Sequence, residues 1–238
     1  MRPLCLKRQN NLSEICIFAK SIIKAMIIPY INKKKIAVTE ISDLLDRNEI
    51  APQYISTANW PAEFPYTPDV RFRIAHNGSM ILLEYTVAED YIRAMAKEDN
   101  GPVWEDSCVE MFITFDNLNY YNIECNCCGK VLLACGPDRN NRTYSTPECV
   151  GAISRATSIT DTQFDSCKAP DKWCVRLAIP VVIFFADNIK NLHGMKARAN
   201  FYKCGDKLPV PHFLSWEPIN VPAPDFHLPH FFGEVVFE

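Results

Sequence analysis

Residues 103–113 read Val103-Trp104-Glu105-Asp106-Ser107-Cys108-Val109-Glu110-Met111-Phe112-Ile113. An acidic loop here leads directly into a segment in which side chains suited to two different faces alternate, as they do in a β-strand. Because successive strand side chains point to opposite faces, Val109, Met111 and Ile113 form one apolar face, and Glu110 shares the other with Cys108 and Phe112. The stretch therefore predicts a strand with one polar anchor on an otherwise apolar face, beside a tryptophan at the end of a loop.

Short alternating segments recur on both sides of this strand. The clearest is a hairpin whose turn is Asn77-Gly78. Strands are predicted at 70–76, 80–87, 108–115, 120–127, 130–135, 151–159, 172–179, 196–203, 213–218 and 233–237. A strand end and short helix are predicted at 38–48, capped by Thr39 or Ser42, and a helical turn at 180–185. This spacing predicts an all-β fold, an antiparallel β-sandwich of immunoglobulin-like or jelly-roll-like type with a few short helices.

The N-terminal segment differs from the rest of the chain. Its apolar run from Ile15 to Ile31 is interrupted by Lys20 and Lys24, which is too broken for a membrane span. It also lacks a compact apolar run followed by a cleavage site of small residues. We therefore predict an N-terminal extension at residues 1–25 and a single domain at 26–238; a helix docked on the domain is the alternative for the extension.

Charge and cysteine usage limit the function classes. The formal net charge of -3 and pI near 6.0 argue against a nucleic-acid partner, which requires a basic face. The eleven cysteines are an odd number, and several lie where a strand would bury them. Free buried thiols indicate a reducing compartment, so a cytoplasmic location is expected, with no membrane insertion.

Trp104 and two glutamates are the first candidate binding residues. Trp104 follows the turn cluster Asp99-Asn100-Gly101-Pro102, which favours a ring at the rim of a ligand site over a ring in the core. Glu110 could also be an ordinary edge acid. Glu124 lies on the following predicted strand, so the two carboxylates can converge across the pair. Such a pair can bind hydroxyl groups, or can act as acid and nucleophile in a glycoside-active enzyme.

A polar strand face near the C-terminus supplies further candidates. Arg198 and Asn200 share one face of the strand at 196–203. An arginine there can donate paired hydrogen bonds to ligand hydroxyls, or can form an internal salt bridge with Glu110 or Glu124. Cys125, Cys127 and Cys128 lack the paired Cys-x-x-Cys spacing of a structural zinc site and fit strand packing better.

Several motifs together resemble family 9 carbohydrate-binding modules. Residues 103–113 resemble the acidic strand motif of that family with its tryptophan, Leu214-Ser215-Trp216 its penultimate strand, and residues 226–237 its closing loop and strand. The resemblance covers residues 27–238 and implies a β-sandwich related to the DOMON fold that binds sugar ends between two aromatic rings without catalysis. It implies that Trp104 is the first ring and Glu110 the hydroxyl-binding acid. Phe226 and Trp216 are candidates for the second ring.

The resemblance also bears on cofactors. It implies a structural calcium ion in some members, but no Asp-x-Asp-x-Asp loop is present, so metal ligands cannot be assigned and no cofactor is required. The DOMON relation makes a haem or redox module the alternative function, with His76, Met80 and Met111 as candidate axial ligands. We predict non-catalytic binding of a mono- or oligosaccharide, with the oligomeric state left open.

Overall fold

A computed structural model describes residues 25–238. The predicted extension, residues 1–25, lies outside this part of the chain except for its last residue, so it stays a prediction. The strands, β1 to β16 in chain order, are Met26–Ile28, Gln53–Tyr54, Thr57–Ala58, Asp69–His76, Met80–Ala88, Tyr91–Ala94, Cys108–Thr114, Tyr120–Asn126, Val131–Gly136, Thr143–Tyr144, Ser154–Thr157, Phe164–Lys168, Trp173–Pro180, Lys196–Cys204, Phe213–Ser215 and Gly233–Phe237.

Two sheets pack face to face, which confirms the predicted sandwich. The large sheet runs β1-β16-β14-β7-β8-β9-β10, and β15, itself paired with β3, shares one edge of β14 with β16. The small sheet runs β11-β13-β5-β4-β2. All pairs are antiparallel except β1 with β16, which is parallel.

The hairpin between β4 and β5 forms as the sequence predicts. Gly78 has a φ of 86°, a conformation that a β-carbon disfavours. The Asn77 side chain accepts hydrogen bonds from the backbone N–H groups of Ser79 and Met80 at 3.1 and 3.0 Å, which fixes the turn locally. The Asn77-Gly78 turn therefore sets the register in which β4 pairs with β5.

The main core lies between the two sheets. The apolar face predicted for β7 points into it, since Val109, Met111 and Ile113 are all buried there. Phe72 of the small sheet stacks on Phe201 of the large sheet with ring centroids 3.9 Å apart. The opposite face of the large sheet is not exposed to solvent either, because loops carrying aromatic side chains cover it in a second apolar cluster.

The helices are short, and the predicted cap of the first one needs correction. The helices are the α-helices Ile41–Arg47 and Pro147–Gly151 and the 3-10 helices Val38–Glu40, Val103–Glu105, Val181–Ile183 and Pro229–Phe231. Neither Thr39 nor Ser42 caps the first helix. Instead the Glu40 carboxylate accepts a hydrogen bond from the Ala37 N–H at 3.0 Å, because the chain enters through a 3-10 turn.

Six strands were not predicted: β1, β2, β3, β6, β10 and β12. Four of them are only two or three residues long, too short for alternation to be visible in the sequence. The other two, β6 and β12, form a separate two-stranded sheet; β6 has only four residues, and β12 is largely exposed. Within residues 25–238, no helix is both long and apolar enough to cross a lipid bilayer.

Candidate functional site

A cavity of about 290 Å³ opens on the outer face of the large sheet, beneath the loops that cover it. Its apolar lining is aromatic and comes from Trp104, Phe213 and Phe226. Phe226 is held in place by Tyr202 of β14, on which it stacks with ring centroids 4.2 Å apart and an interplanar angle of 6°. Flat rings of this kind can cover the C–H face of a sugar ring.

Trp104 lies on the rim position that the sequence predicts. It belongs to the 3-10 helix Val103–Glu105 and is half-buried. Its backbone carbonyl accepts hydrogen bonds from the Asp206 N–H at 3.3 Å and the Cys204 thiol at 3.5 Å. The loop is therefore anchored through its backbone to the end of β14, and the indole is left to form part of the cavity wall.

Glu110 and Glu124 meet at the floor of this cavity, as the strand parity predicts. They are directly opposite each other in the β7–β8 register, and only 2% and 3% of their surfaces are exposed. Burial raises the pKa of Glu124 to about 7. Burial, and secondarily the neighbouring Glu124 charge, raise the pKa of Glu110 well above its usual range. These shifts favour the protonated forms of the two carboxyl groups, and a protonated carboxyl group can both donate and accept hydrogen bonds.

One carboxylate oxygen of this pair lacks a partner. Glu124 Oε1 accepts from the Asn122 side-chain amide at 2.8 Å, but Oε2 is buried and has no hydrogen-bond partner among the described residues. Glu110 Oε1 accepts from the Cys204 thiol at 3.0 Å. Because an unpaired buried acceptor carries a desolvation penalty, Glu124 Oε2 is a ready acceptor for a ligand hydroxyl.

Two arginines that the sequence did not single out carry the positive charge of the cavity. Arg139 donates to Asp225 at 2.8 Å, so these two side chains form an ion pair at the surface. Arg142 is more buried, and its Nη1 lies 4.0 Å from Glu124 Oε1. Asp206 adds a carboxyl group whose pKa is raised to about 6 by burial. The lining can therefore donate and accept hydrogen bonds over much of its polar surface.

His227 also lines the cavity, and it is neutral. Its Nδ1 lies 2.8 Å from the Tyr120 hydroxyl, and its ring centroid lies 5.0 Å from that of Phe112. Burial, followed by the charges of Arg142 and Arg139, lowers the pKa of His227 to about 3. A neutral imidazole held this way acts as a wall and a hydrogen-bonding group, not as a cation.

The structure does not bring Arg198 to this cavity. It shares a face of β14 with Asn200, as predicted, but it lies four residues, about 13 Å along the strand, from Tyr202, the residue that pairs with Glu110. Its guanidinium donates to the carbonyls of Phe232 and His230 at 2.6 and 3.1 Å and lines a separate groove. The sequence therefore predicted the correct strand face for Arg198, but Arg198 lies too far along that strand to reach Glu110 or Glu124. The salt bridges considered for Arg198 with Glu110 or Glu124 do not form.

Asn200 and Trp216 are likewise placed elsewhere. The Asn200 amide bonds the backbone of Glu217, donating to its carbonyl at 3.0 Å and accepting from its N–H at 2.9 Å. Trp216 packs edge-on against Phe72 and Phe201 with centroid distances of 6.3 and 5.7 Å, on the main-core side of the sheet. Both side chains support the sandwich. Of the two candidates for a second ring, Phe226 is the one in the cavity.

The two methionines suggested as haem ligands lie in different parts of the fold. Met111 is buried in the main core between the sheets, and Met80 packs against a different cluster. His76 is buried, and its Nδ1 accepts from the Gly78 N–H at 3.2 Å. Since Met111 and Met80 lie in separate clusters, they cannot serve as the two axial ligands of one haem.

One cluster of side chains could hold a metal ion. Within residues 25–238, Cys108, Glu110 and Cys204 form the only group of three or more His, Cys, Asp or Glu side chains whose ligand atoms lie close together. Calcium takes six to eight oxygen ligands, whereas two of these three donors are thiols. This cluster therefore does not fit calcium.

Sequence and structure comparisons identify the family. The sequence profile of carbohydrate-binding family 9 matches residues 39–237. A crystal structure of a proposed carbohydrate-binding protein from Bacteroides uniformis ATCC 8492 matches with a TM-score of 0.86 at 41% identity, over 90% of this chain and 99% of that chain. No curated protein shows a significant sequence match.

Two more distant structures share the fold. Both are family 9 modules from Caldicellulosiruptor kristjanssonii, each 13% identical to this chain over 90% of its length. The complex with cellotriose has a TM-score of 0.57 over 94% of that chain, and the complex with glucose 0.50 over 96%. The predicted resemblance is confirmed by the profile and the 41% identical structure, and the chain belongs to carbohydrate-binding family 9.

Proposed function

We propose that the cavity holds the end of a mono- or oligosaccharide without catalysis. Trp104 and Phe226 would cover the apolar face of the sugar ring, and Glu124, Glu110 and Arg142 would bond its hydroxyls. The observation that carries this proposal is the buried, unpartnered Glu124 Oε2 in a cavity lined by aromatic rings. A sugar hydroxyl would supply the missing donor while the rings take up the C–H surface.

The same two glutamates argue against a glycoside-active enzyme. In a retaining glycosidase one carboxylate must be ionised to act as nucleophile. Here burial raises the pKa of Glu124 to about 7 and that of Glu110 well above its usual range, which disfavours the ionised form that a nucleophile requires. Both also rise from the same sheet floor as direct cross-strand neighbours. This arrangement suits binding of hydroxyls better than flanking of a glycosidic bond.

The test is the substitution Glu124→Gln, measured by titration calorimetry with glucose and cellotriose, the ligands of the two Caldicellulosiruptor complexes. The amide keeps the shape but removes one acceptor. Leaving a buried hydrogen-bonding group without its partner costs about 1–3 kcal/mol, so affinity should fall roughly 5- to 150-fold.

The matched control is Glu217→Gln. Glu217 is also a partly buried glutamate, but it lies in the groove beside Arg198 and does not line the cavity. Its substitution should leave affinity unchanged. If neither glucose nor cellotriose binds the wild-type protein, a wider panel of neutral and acidic sugars follows, and a panel without saturable binding would refute the proposal.

A further inference from the structure

Three metal-ligand atoms lie together at the base of the cavity. Cys108 and Glu110 are two residues apart on the same face of β7, and Cys204 of β14 is directly opposite Cys108 in the register. Both sulfur atoms and one Glu110 carboxylate oxygen lie within 4.8 Å of one another, and all three residues are buried. The strand pairing alone therefore brings two thiols and a carboxyl group to one point.

We propose that Cys108, Glu110 and Cys204 form a binding site for a thiophilic divalent cation of the Zn²⁺ class. Zinc takes four tetrahedral ligands at about 2.3 Å from sulfur and 2.0–2.2 Å from oxygen, which places neighbouring donor atoms roughly 3.5–4 Å apart. The donor atoms of the three residues, all within 4.8 Å of one another, therefore lie near the spacing that zinc requires. Two sulfur donors select zinc or a similarly soft cation over calcium and magnesium.

The site has an entry path and an open fourth position. Glu110 and Cys204 both line the sugar cavity, whereas Cys108 lies behind them with no exposed surface. A cation can enter from the cavity, and its fourth ligand would be a water molecule or a ligand hydroxyl on the cavity side. Each thiol and the carboxyl group release their protons to solvent as the metal–ligand bonds form.

Other cysteines provide a contrast within the same chain. Cys174 is half-buried on β13 of the small sheet, and its sulfur lies 3.7 Å from the Thr86 hydroxyl. It does not belong to the cluster of Cys108, Glu110 and Cys204. Replacing it removes a thiol without touching the proposed site, which makes Cys174→Ser the matched control.

The test uses the full chain, reduced and stripped with a chelator, and titrated with Co²⁺ as the spectroscopic probe. We expect one equivalent of Co²⁺ to bind with the near-ultraviolet absorption of thiolate coordination, and Zn²⁺ to displace it. Cys108→Ser and Cys204→Ser should each weaken binding at least tenfold, whereas Cys174→Ser should bind as the wild type does. Binding that survives both substitutions, or the absence of a thiolate band in the wild type, would overturn the proposal.

A second measurement on the wild-type protein covers the case in which a cysteine variant does not fold. Thiol alkylation followed by mass spectrometry is run with and without one equivalent of Zn²⁺. The proposal predicts that Zn²⁺ slows modification of Cys108 and Cys204 but not of Cys174. Equal rates with and without Zn²⁺, or a disulfide joining Cys108 to Cys204 in the purified protein, would contradict it. Sugar affinity is not a readout here, so this result is independent of the proposed carbohydrate function.

Discussion

Replacing Trp104 by alanine separates a ligand platform from a structural tryptophan. The indole is half-buried at the cavity wall, and its loop is fixed through backbone hydrogen bonds that alanine retains. The fold should therefore survive. One face of the ring, about a third of the 150–250 Å² that an aromatic side chain can bury, would be lost to the ligand. At roughly 25 cal/mol per Å², that face contributes about 1–2 kcal/mol, so affinity should fall about five- to thirtyfold.

Trp216→Ala is the matched control, because it removes the same side chain from the other side of the sheet. Trp216 packs against Phe72 and Phe201, so its loss should lower the free energy of unfolding by about 2–4 kcal/mol. Sugar affinity of the folded protein should stay near that of the wild type. For Trp104→Ala the unfolding free energy should change by only about 1 kcal/mol.

The assay pairs chemical denaturation with calorimetric titration of whichever sugar binds the wild-type protein. The two variants should show opposite patterns, with affinity lost in one and stability lost in the other. If Trp104→Ala binds the sugar as tightly as the wild type, or loses several kcal/mol of stability, then Trp104 is a core residue and the reasoning about the loop-end ring is wrong.

Three further predictions test the fold and its charges. Lys203→Met should destabilise the protein by about 3–5 kcal/mol in denaturant melts, because Lys203 and Glu89 form a fully buried ion pair at 2.9 Å. The control Lys207→Met, which removes an exposed ion pair, should change the free energy of unfolding by less than about 1 kcal/mol. His227→Gln should flatten the acid side of the stability curve. The folded pKa of about 3 lies below the unfolded value of about 6.5, so below pH 6.5 the unfolded chain binds a proton that the folded chain excludes, and wild-type stability falls relative to the variant by up to about 1.4 kcal/mol per pH unit; parallel curves at pH 7 and pH 5 would contradict this. Finally, thiol titration under denaturing, non-reducing conditions should detect most of the eleven cysteines, and detection of only one or two would show that disulfides form.

The strand that contains Glu110 shows what the sequence could predict. Alternation placed Val109 and Met111 in the core and Glu110 on the opposite face, and the hairpin spacing placed Glu124 directly across from it. These are consequences of the two-residue period of a strand, which acts over a few residues and needs no tertiary information. The turn cluster before Trp104 indicated its place at the rim, and the family resemblance added Phe226.

The remainder of the cavity depends on contacts that sequence patterns do not encode. Arg139, Arg142 and His227 lie on loops, and the first of these meets Asp225 across a separation of 86 residues. Loop residues have no periodicity from which the direction of a side chain can be inferred. The sequence indicated only that these residues lie near the ends of strands. Arg198 failed for a related reason: parity fixes the face of a strand but not the distance along it.

The most direct test of the central claim follows the four tryptophan indole N–H groups in a ¹H–¹⁵N spectrum during titration with glucose or cellotriose. The Trp173 and Trp60 indoles donate internally to Glu89 and Val221 at 2.8 Å, and Trp216 packs against the main core, so these three signals should stay in place. The Trp104 signal, assigned by Trp104→Phe, should move in a saturable manner. Saturable binding that leaves Trp104 unshifted, or that shifts Trp216 instead, would show that the sugar binds elsewhere and would contradict the site described above.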